Sequence, residues 1–356
     1  MKFYAGIDLH SNNNHVVVID EQDQVVHRRK LSNEAGPVLE TLRPFAKQLE
    51  GVVVESTYNW YWLVDSLQEV GYRVHLANTA AIQSYAGQKQ TNDWSDAQWL
   101  AHLLRLGLLR EGYIYPKEQR GVRDLLRKRM QLVRQRTLQI LSFQSAVSRH
   151  TGGKVSRWHL KVMLSCELEQ LYGEHPWLLK GLEASWRIIQ ALDEEIERLE
   201  KEINHTLRES PSFKLLKSVW GIGPVLAWTI VLETGPISRF ASAGDYCSYC
   251  RVVPSERQSN GKKKGENNRK CGNKYLSWAY SEAAQYASRY YSQAHAFVER
   301  KTAQGGRYLG WRALASKLCR ASYYVLRDEV EFDPIRLFGS ARRSEREKQT
   351  LGLAAS

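Results

Sequence analysis

Four carboxylates between residues 8 and 96 have the types and spacing of a phosphodiester-cleaving metal site. Asp93 and Asp96 are three residues apart at the start of a predicted helix, so both side chains lie on one helix face, about 5–6 Å apart at Cβ. Two like charges at that distance repel each other unless a cation lies between them. Taken alone, the pair also fits an acidic first turn that complements the helix dipole.

The other two acids, Asp8 and Glu55, lie in short apolar segments that predict strands. The pattern predicts strands at 3–10, 15–20, 24–31, 51–55 and 72–77, and helices at 34–49, 60–70 and from Asp93 onward. Three hairpin-linked strands followed by alternating helices and strands indicate an α/β domain with a mixed sheet, in the order of the RNase H-like fold. The first and fourth strands of that fold are parallel neighbours, so Asp8 and Glu55 should project side by side.

A carboxylate within each of two buried strands is costly without a partner, and a divalent cation would supply one. Together with Asp93 and Asp96, these residues offer four oxygen ligands suited to Mg²⁺ or Mn²⁺. Paired metals about 3.5–4 Å apart could clamp the attacking and leaving oxygens of a phosphodiester. The alternative for Asp8 alone is a strand-end acid that caps a turn.

The length and net charge of the chain limit the number of domains and the kind of partner. The chain has 356 residues, enough for two domains and a connector, and 51 Lys+Arg against 38 Asp+Glu give a net charge of +13. Such an excess predicts a polyanionic partner. No apolar run approaches the roughly eighteen residues of a membrane helix, and residues 1–3 lead directly into a strand, so we expect no membrane span or signal peptide and a cytoplasmic protein.

The five cysteines are expected to be free thiols. Cys247 and Cys250 could form half of a zinc site with Cys271 as a third ligand, but a fourth ligand at conventional spacing is missing. Small buried apolar side chains on a helix are therefore the better interpretation.

The middle of the chain predicts two long helices. Residues 121–148 carry an apolar stripe and a basic face, on which Arg123, Arg127 and Lys128 are predicted phosphate contacts, although a solvated face is the alternative. Beyond Pro176, apolar residues recur every seven positions, from Leu182 to Ile203. This short coiled-coil seam could pair with the basic helix of the same chain or dimerise between chains, and the sequence leaves both open.

The last third contains a glycine turn and a lysine-rich loop. Gly221 and Gly223 flank Ile222 between two predicted helices, as in a helix-hairpin-helix unit whose backbone N–H groups contact DNA phosphates. The polar loop 255–274 is predicted to be flexible and to contact nucleic acid. Its basic candidates are Lys262, Lys263, Lys264, Arg269, Lys270 and Lys274. Helices are predicted at 275–290 and 310–327, followed by a mobile tail after Phe338.

Six short motifs follow one another along the chain. They are Gly6-Ile7-Asp8-Leu9-His10, Val54-Glu55-Ser56-Thr57, Asn92-Asp93-x-x-Asp96-Ala97, Gly221-Ile222-Gly223-Pro224, Gln258-Ser259-Asn260-Gly261 and Gly272-Asn273-Lys274-Tyr275-Leu276. In combination they resemble the DEDD transposases of prokaryotic insertion sequences, which are relatives of site-specific DNA invertases. The resemblance extends over residues 3–328.

The resemblance implies an α/β RNase H-like (RuvC-like) domain at 1–112, a helical coiled-coil connector at 113–210, a mainly α transposase domain with a helix-hairpin-helix-like element at 211–330, and a charged tail at 331–356. Asp8, Glu55, Asp93 and Asp96 fall on the four acidic, metal-binding positions of the family. Ser259 falls on its serine nucleophile. Many members have Ser-Gly there, whereas this chain has Ser-Asn-Gly, so Ser255 stays a second candidate.

The resemblance further implies a nucleoid-associated homo-oligomer, a dimer or tetramer, that acts on DNA element ends and target sites with a guide RNA encoded by the element. The leading hypothesis is DNA strand exchange by the metal carboxylates and a serine acting jointly. A hydrolytic endonuclease of the Holliday-junction-resolvase type, in which the acids suffice, is the first alternative. A non-catalytic nucleic-acid-binding protein is the second, and the presence of all four acids argues against it.

Overall fold

The computed structural model describes residues 1–78, 81–82, 92–254, 257–265 and 271–339. The chain divides into two compact units. One comprises residues 1–117 together with 255–271, and the other comprises residues 118–254 and 272–356. None of the helices in the described ranges combines the length and hydropathy that crossing a bilayer requires.

The first unit contains a mixed five-stranded sheet. Its strands are β1 (Phe3–Leu9), β2 (Asn13–Ile19), β3 (Val25–Ser32), β4 (Leu49–Glu55) and β5 (Val74–Ala77). Their order is β3-β2-β1-β4-β5; β1 pairs antiparallel with β2 and β2 with β3, whereas β4 runs parallel to both β1 and β5. The predicted mixed sheet, with the first and fourth strands as parallel neighbours, is confirmed, and the topology is compatible with an RNase H-like fold.

Three helices cover the two faces of this sheet: α1 (Ala35–Leu42), α2 (Tyr61–Glu69) and α3 (Asp93–Arg105). Helices α1 and α2 pack on the face that carries Ile7 and Val54, and α3 packs on the opposite face, against Val17 and Val53. Because side chains alternate along a strand, Asp8 and Glu55 belong to the face covered by α3.

The predicted helix 34–49 was wrong in its second half. Helix α1 ends at Leu42, a short 3₁₀ turn spans Arg43–Phe45, and β4 begins at Leu49. Pro44 explains the break, because it lacks an N–H donor and restricts the residue before it to non-helical conformations. Strand β5 also begins later than predicted, at Val74 rather than residue 72.

The loop that carries Ser259 contains regular structure that the sequence interpretation missed. Strands β6 (Arg257–Ser259) and β7 (Lys262–Gly265) form an antiparallel hairpin. The two turn residues, Asn260 and Gly261, have φ values of 53° and 70°. Positive φ at both positions is characteristic of a type I′ turn, for which Asn-Gly is the preferred pair.

The second unit is mainly helical. Its helices are α4 (Lys117–Thr151), α5 (Arg157–Val162), α6 (Ser165–Tyr172), α7 (Pro176–Leu207), α8 (Pro211–Leu216), α9 (Pro224–Thr234), α10 (Ala243–Tyr249), α11 (Lys274–Tyr290), α12 (Ser292–Gly305), α13 (Arg307–Asp328) and α14 (Pro334–Phe338). The predicted helices at 275–290 and 310–327 are confirmed as α11 and α13. The sequence interpretation missed α5, α6, α12 and α14. Of the mobile tail predicted after Phe338, the part beyond residue 339 lies outside the described residues.

Helices α4 and α7 contact each other within one chain. Ion pairs join Arg129 to Glu200 and Arg136 to Asp193, so the two helices run antiparallel. Ile189 of the predicted seven-residue repeat is buried with Phe143 of α4. The structure therefore shows the intrachain pairing, and pairing between chains stays a prediction. Within residues 121–148, which were predicted to carry an apolar stripe, Leu138 and Leu141 are exposed.

Candidate active site

Strands β1 and β4 place Asp8 and Glu55 next to each other at the ends of neighbouring parallel strands. Ile7 pairs with Val54, and the two acids are the next residues along each strand. Asp8 is buried and Glu55 is partly buried. When protonated, the Glu55 carboxyl donates a hydrogen bond to Asp8, and Glu55 also accepts one from the Leu9 backbone N–H. The predicted side-by-side arrangement of the two acids is therefore present.

Helix α3 brings Asp93 and Asp96 to the same face of the sheet. Its backbone approaches β1 closely at Gly6, where an added Cβ would collide with the Ala97 carbonyl oxygen. Asn92 caps the helix, and its Oδ1 accepts hydrogen bonds from the backbone N–H groups two and three residues on, at 3.1 and 3.0 Å. The start of α3 is thus fixed in both position and direction.

Neighbouring carboxylates perturb the electrostatics of two of the four acids, Glu55 and Asp96. Burial, the hydrogen bond to Asp8 and the charges of Asp8 and Asp96 raise the pKa of Glu55 to about 8. Burial and the charges of Asp8 and Asp93 also raise the pKa of Asp96. Glu55 and Asp96 therefore each meet the negative charge of neighbouring carboxylates, which disfavours the ionised form of these two groups.

Two histidines join the acids, and the sequence interpretation gave them no role. The Nε2 atom of His10 lies 3.1 Å from Asp8 Oδ2 and 3.4 Å from Asp93 Oδ1, and His15 Nδ1 lies 3.6 Å from Asp93 Oδ2. Burial lowers the pKa of His15. The hairpin register could have revealed this residue, because Asp8 pairs directly with His15.

The donor set fits a divalent cation. Ligand atoms of Asp8, His10 and His15 all lie within 4.8 Å of one another. Among the described residues, the buried Nδ1 atom of His15 has no hydrogen-bond partner. Carboxylate oxygens and imidazole nitrogens are both ligands that Mn²⁺ accepts, and the carboxylates alone suit Mg²⁺. A bound cation would also offset the mutual repulsion of the acids.

The serine hairpin belongs to the same compact unit as the acids. Ser259 is exposed at the end of β6 and pairs with Lys262 across the turn. Lys262, Lys264 and, at the start of α11, Lys274 are exposed as well. Ser255, Arg269 and Lys270 lie outside the described residues, as does the side chain of Lys263.

The predicted basic face of α4 is partly engaged within the protein. Arg123 is buried, and Arg127 donates two hydrogen bonds to Glu233, at 2.6 and 2.8 Å. Asn273 donates to the same carboxylate at 2.7 Å. Of the three predicted phosphate contacts on this helix, Lys128 is the exposed one. Glu233 and Asn273 are structural residues that sequence reasoning missed.

The glycine turn lies between α8 and α9. Gly221 has φ +81°, and an added Cβ there would collide with the Ala283 carbonyl oxygen of α11. Gly223 is the N-cap residue of α9, with Pro224 following in the first turn. The geometry thus gives Gly221 a packing role, whereas the backbone at Gly223 opens a helix N-terminus.

A mixed sheet that carries these acids, followed by a long helical region, is compatible with the DNA-strand-processing enzymes that the motifs resemble. Comparison with protein families agrees. A DEDD transposase model matches residues 5–151, which include all four acids, and a model described as "Transposase IS116/IS110/IS902 family" matches residues 213–299, which include Ser259. The chain belongs to this IS110/IS116 family of insertion-sequence transposases.

Individual relatives carry the same description. A "Probable family 20 transposase" of Pseudomonas aeruginosa is 25% identical over 280 residues, covering 76% of this chain and 80% of that protein. The "Transposase for insertion sequence element IS1328" of Yersinia enterocolitica is 24% identical over 342 residues, covering 90% of this chain and 95% of its own. The similarity therefore extends through both units.

Proposed function

We propose that this transposase cleaves and rejoins DNA at the pocket formed by Asp8, Glu55, Asp93 and Asp96, with a divalent cation as cofactor. The observation that carries the proposal is the placement of Asp8 beside Glu55 on neighbouring parallel strands, with the first turn of α3, which holds Asp93 and Asp96, on the same face of the sheet. Burial and the neighbouring carboxylates also raise the pKa of Glu55 to about 8. Perturbed carboxyls of this kind are typical of functional sites. A buried carboxyl that served only stability would be expected to have a cationic partner, whereas the charged groups that act on Glu55 are the carboxylates Asp8 and Asp96.

Mg²⁺ or Mn²⁺ would be held by the four carboxylates, with His10 and His15 as neighbouring nitrogen donors. When bound, the cation would supply Lewis-acid chemistry at a phosphodiester oxygen. The residues of the chain would fix the ligand positions. The parallel strands hold Asp8 beside Glu55, and the capped first turn of α3 holds Asp93 and Asp96.

Ser259 would be the nucleophile. Its Oγ would attack the phosphorus of a DNA strand, so that an Oγ–P ester bond forms while the P–O bond to one deoxyribose breaks and that sugar leaves as a hydroxyl. Attack by the hydroxyl of a new strand would then reverse the step and release the serine. A serine hydroxyl needs activation and charge stabilisation, to which the exposed Lys262 and Lys264 would contribute.

The remaining partners follow from the family and from charge. Exposed Lys128, Lys262, Lys264 and Lys274 would contact phosphates, and such contacts serve DNA and RNA alike. We therefore propose DNA element ends and target sites as substrates, and keep an element-encoded guide RNA and a homo-oligomeric state as further parts of the proposal.

The test is to trap the covalent intermediate on a DNA duplex that carries the joined element ends. Denaturing gels should show a protein–DNA adduct for the wild type and none for Ser259→Ala, while Ser255→Ala should behave as the wild type. Asp8→Asn and Glu55→Gln should lower cleavage by a factor on the order of 10³. Glu50→Gln, at the opposite and exposed end of β4, is the matched control and should keep its activity.

Two outcomes would contradict the proposal. Normal cleavage by Ser259→Ala would favour the hydrolytic, resolvase-type alternative, in which the acids act without a covalent step. Normal cleavage by Asp8→Asn and Glu55→Gln would remove the metal pocket from the mechanism altogether.

A further inference from the structure

The second unit contains a cavity of about 550 Å³ that the acidic pocket does not involve. The turn at Gly221–Gly223 and the first turn of α9 form one wall, and α11 forms the other. A single nucleotide is of the size that a cavity of this volume can accept. Its lining is aromatic on one side and carries the cationic side chain of Lys217 on the other.

The α11 wall is built from one helix face. Trp278, Glu282, Tyr286 and Tyr290 follow each other at four-residue intervals, which places them in a single stripe. Tyr286 and Tyr290 are 47% and 68% exposed. Their rings are stacked, with centroids 6.4 Å apart and planes 9° apart. Two parallel aromatic faces are therefore held open to solvent beside the cavity.

Stacked, exposed tyrosines suit a flat aromatic ligand. Nucleobases stack on aromatic side chains with useful energy and little dependence on sequence, because every base has a π-face. Duplex DNA cannot use such a surface, since its bases already stack on each other. An unpaired or extruded base can.

The charges around the cavity fit the rest of a nucleotide. Lys217 is exposed and can contact a phosphate, and α9 directs its N-terminus, at Gly223, toward the same space. Glu282 would repel phosphate but can accept hydrogen bonds from the amino and imino groups of a base edge. Guanine, which presents both donors on its Watson–Crick edge, suits a carboxylate best.

We propose that this cavity binds an unpaired nucleobase of a single-stranded DNA or RNA segment, with Tyr286 and Tyr290 as the stacking platform, Lys217 as the phosphate contact and Glu282 as the base-edge acceptor. The inference rests on the proposed function in that a strand-exchanging enzyme produces unpaired nucleotides. It adds a binding site that is separate from the acidic pocket, and its occupant is a nucleotide rather than a second copy of the chain.

The experiment measures binding of the full-length protein to fluorescein-labelled single strands in EDTA, which removes any contribution of a metal at the acids. The probes are dT20, rU20, the same strands with one central guanine, and a 20-base-pair duplex. Tyr286→Ala and Tyr290→Ala should each weaken single-strand binding by roughly tenfold, and the double Phe variant should bind as the wild type. Lys217→Gln should weaken binding and reduce its salt dependence.

Tyr308→Ala is the matched control, because Tyr308 is 73% exposed on α13 and does not line the cavity. Its binding should be unchanged, as should binding of the duplex by every tyrosine variant. Glu282→Gln should abolish the preference for the guanine-containing strands. The DNA and RNA probes show which nucleic acid occupies the cavity.

Several results would overturn the proposal. The first is unchanged single-strand binding by the variant in which Tyr286 and Tyr290 are both replaced by Ala, and the second is an equal loss of duplex binding by that variant. The third is a change in the oligomeric state of that variant without a loss of strand binding, which would identify a protein partner at this surface. Crosslinking of wild-type protein to a 5-iodouracil strand at Tyr286 or Tyr290 tests the site without any variant that could misfold. The binding assay contains EDTA, whereas the adduct assay of the acidic mechanism needs the divalent cation, so failure of this inference and failure of the acidic mechanism are distinguishable.

Discussion

Buried carboxylates occur in both units, but their surroundings are opposite. Glu233 of the second unit has a side chain that is 1% exposed, and it receives hydrogen bonds from the Arg127 guanidinium and the Asn273 amide. Glu55 of the first unit faces Asp8 and Asp96, and its pKa is raised to about 8. One carboxylate is neutralised by the chain itself, and the other is surrounded by like charges.

The difference separates a structural acid from a candidate functional one. A buried charge that only stabilises a fold must be compensated within the fold, because an uncompensated one costs several kcal/mol. Glu233 meets that requirement. It lies on α9 and binds both Arg127 of α4 and Asn273, the N-cap residue of α11. Glu55 does not meet it, because its charged neighbours are Asp8 and Asp96, and under the proposed function an external cation would compensate it.

The largest effect on stability is expected from removing Arg127, the cationic partner of Glu233. Arg127→Ala should lower the free energy of unfolding by about 3–5 kcal/mol, because it leaves a buried carboxylate without its charged partner. Chemical denaturation of the full-length protein measures this loss. Arg134→Ala, an exposed arginine on the same helix, is the control and should change stability by less than about 0.5 kcal/mol. Equal effects of the two substitutions would show that the Glu233 pair is not structural.

A second variant attacks the acidic cluster through the backbone. Gly6→Ala should cost about 3 kcal/mol, because the new Cβ collides with the Ala97 carbonyl and displaces α3, which carries Asp93 and Asp96. Calorimetric titration should also show loss of Mn²⁺ binding. Gly36→Ala in α1 is the control, since an added Cβ there meets nothing within 4 Å and should leave both properties intact. Unchanged Mn²⁺ binding by Gly6→Ala would contradict the dependence on α3.

Sequence reasoning reached the acidic cluster because short-range patterns determine it. Asp8 and Glu55 end apolar strand segments, and Asp93 and Asp96 open a helix, so the strand order alone brings them together. It could not reach Glu233, because its partner Arg127 is 106 residues away and neither residue stands in a recognisable pattern. Arginines of α4 that resembled a phosphate-binding face are therefore partly internal ion-pair partners.

Two structural features that the sequence interpretation missed, the β6–β7 hairpin and the end of α1, are marked by short local sequence patterns. The Asn260-Gly261 pair is a strong hairpin signal within a loop that was interpreted from composition alone. Pro44 marked the true end of α1. By contrast, the convergence of His15 on the acids requires the exact register of the β1–β2 hairpin, which hydrophobic patterning fixes only approximately.

The raised pKa of Glu55 makes the stability of the folded protein depend on pH. The pKa of Glu55 is raised from 4.5 to about 8 in the folded protein, so the unfolded chain loses this proton first as the pH rises. Stability that is fully present below pH 4.5 is therefore lost progressively up to about pH 8. Because solvent reaches part of the carboxyl, we expect a loss of about 2 kcal/mol rather than the full linkage value.

Denaturation in EDTA between pH 5 and 9 measures this loss, with Glu55→Gln as the reference, since that variant cannot ionise and should lack the slope. Mg²⁺ or Mn²⁺ should reduce the loss in the wild type by favouring the ionised acids. If the free energy of unfolding depends on pH in the same way for the wild type and Glu55→Gln, the pKa of Glu55 is not raised.

The smallest expected effect compares two asparagine caps. Asn92 opens α3 and Asn273 opens α11, and each side chain accepts hydrogen bonds from two backbone N–H groups of its helix. Asn92→Ala should therefore cost about 1 kcal/mol, the usual value of a cap, and Asn92→Ser should restore most of it. Asn273→Ala should cost more, because Asn273 also donates to Glu233. Thermal unfolding of the three variants, with amide hydrogen exchange at residues 94–96, provides the measurement. Equal losses of stability in the two alanine variants would show that the hydrogen bond from Asn273 does not stabilise the Glu233 carboxylate. Arg127 alone would then account for the difference between Glu233 and Glu55.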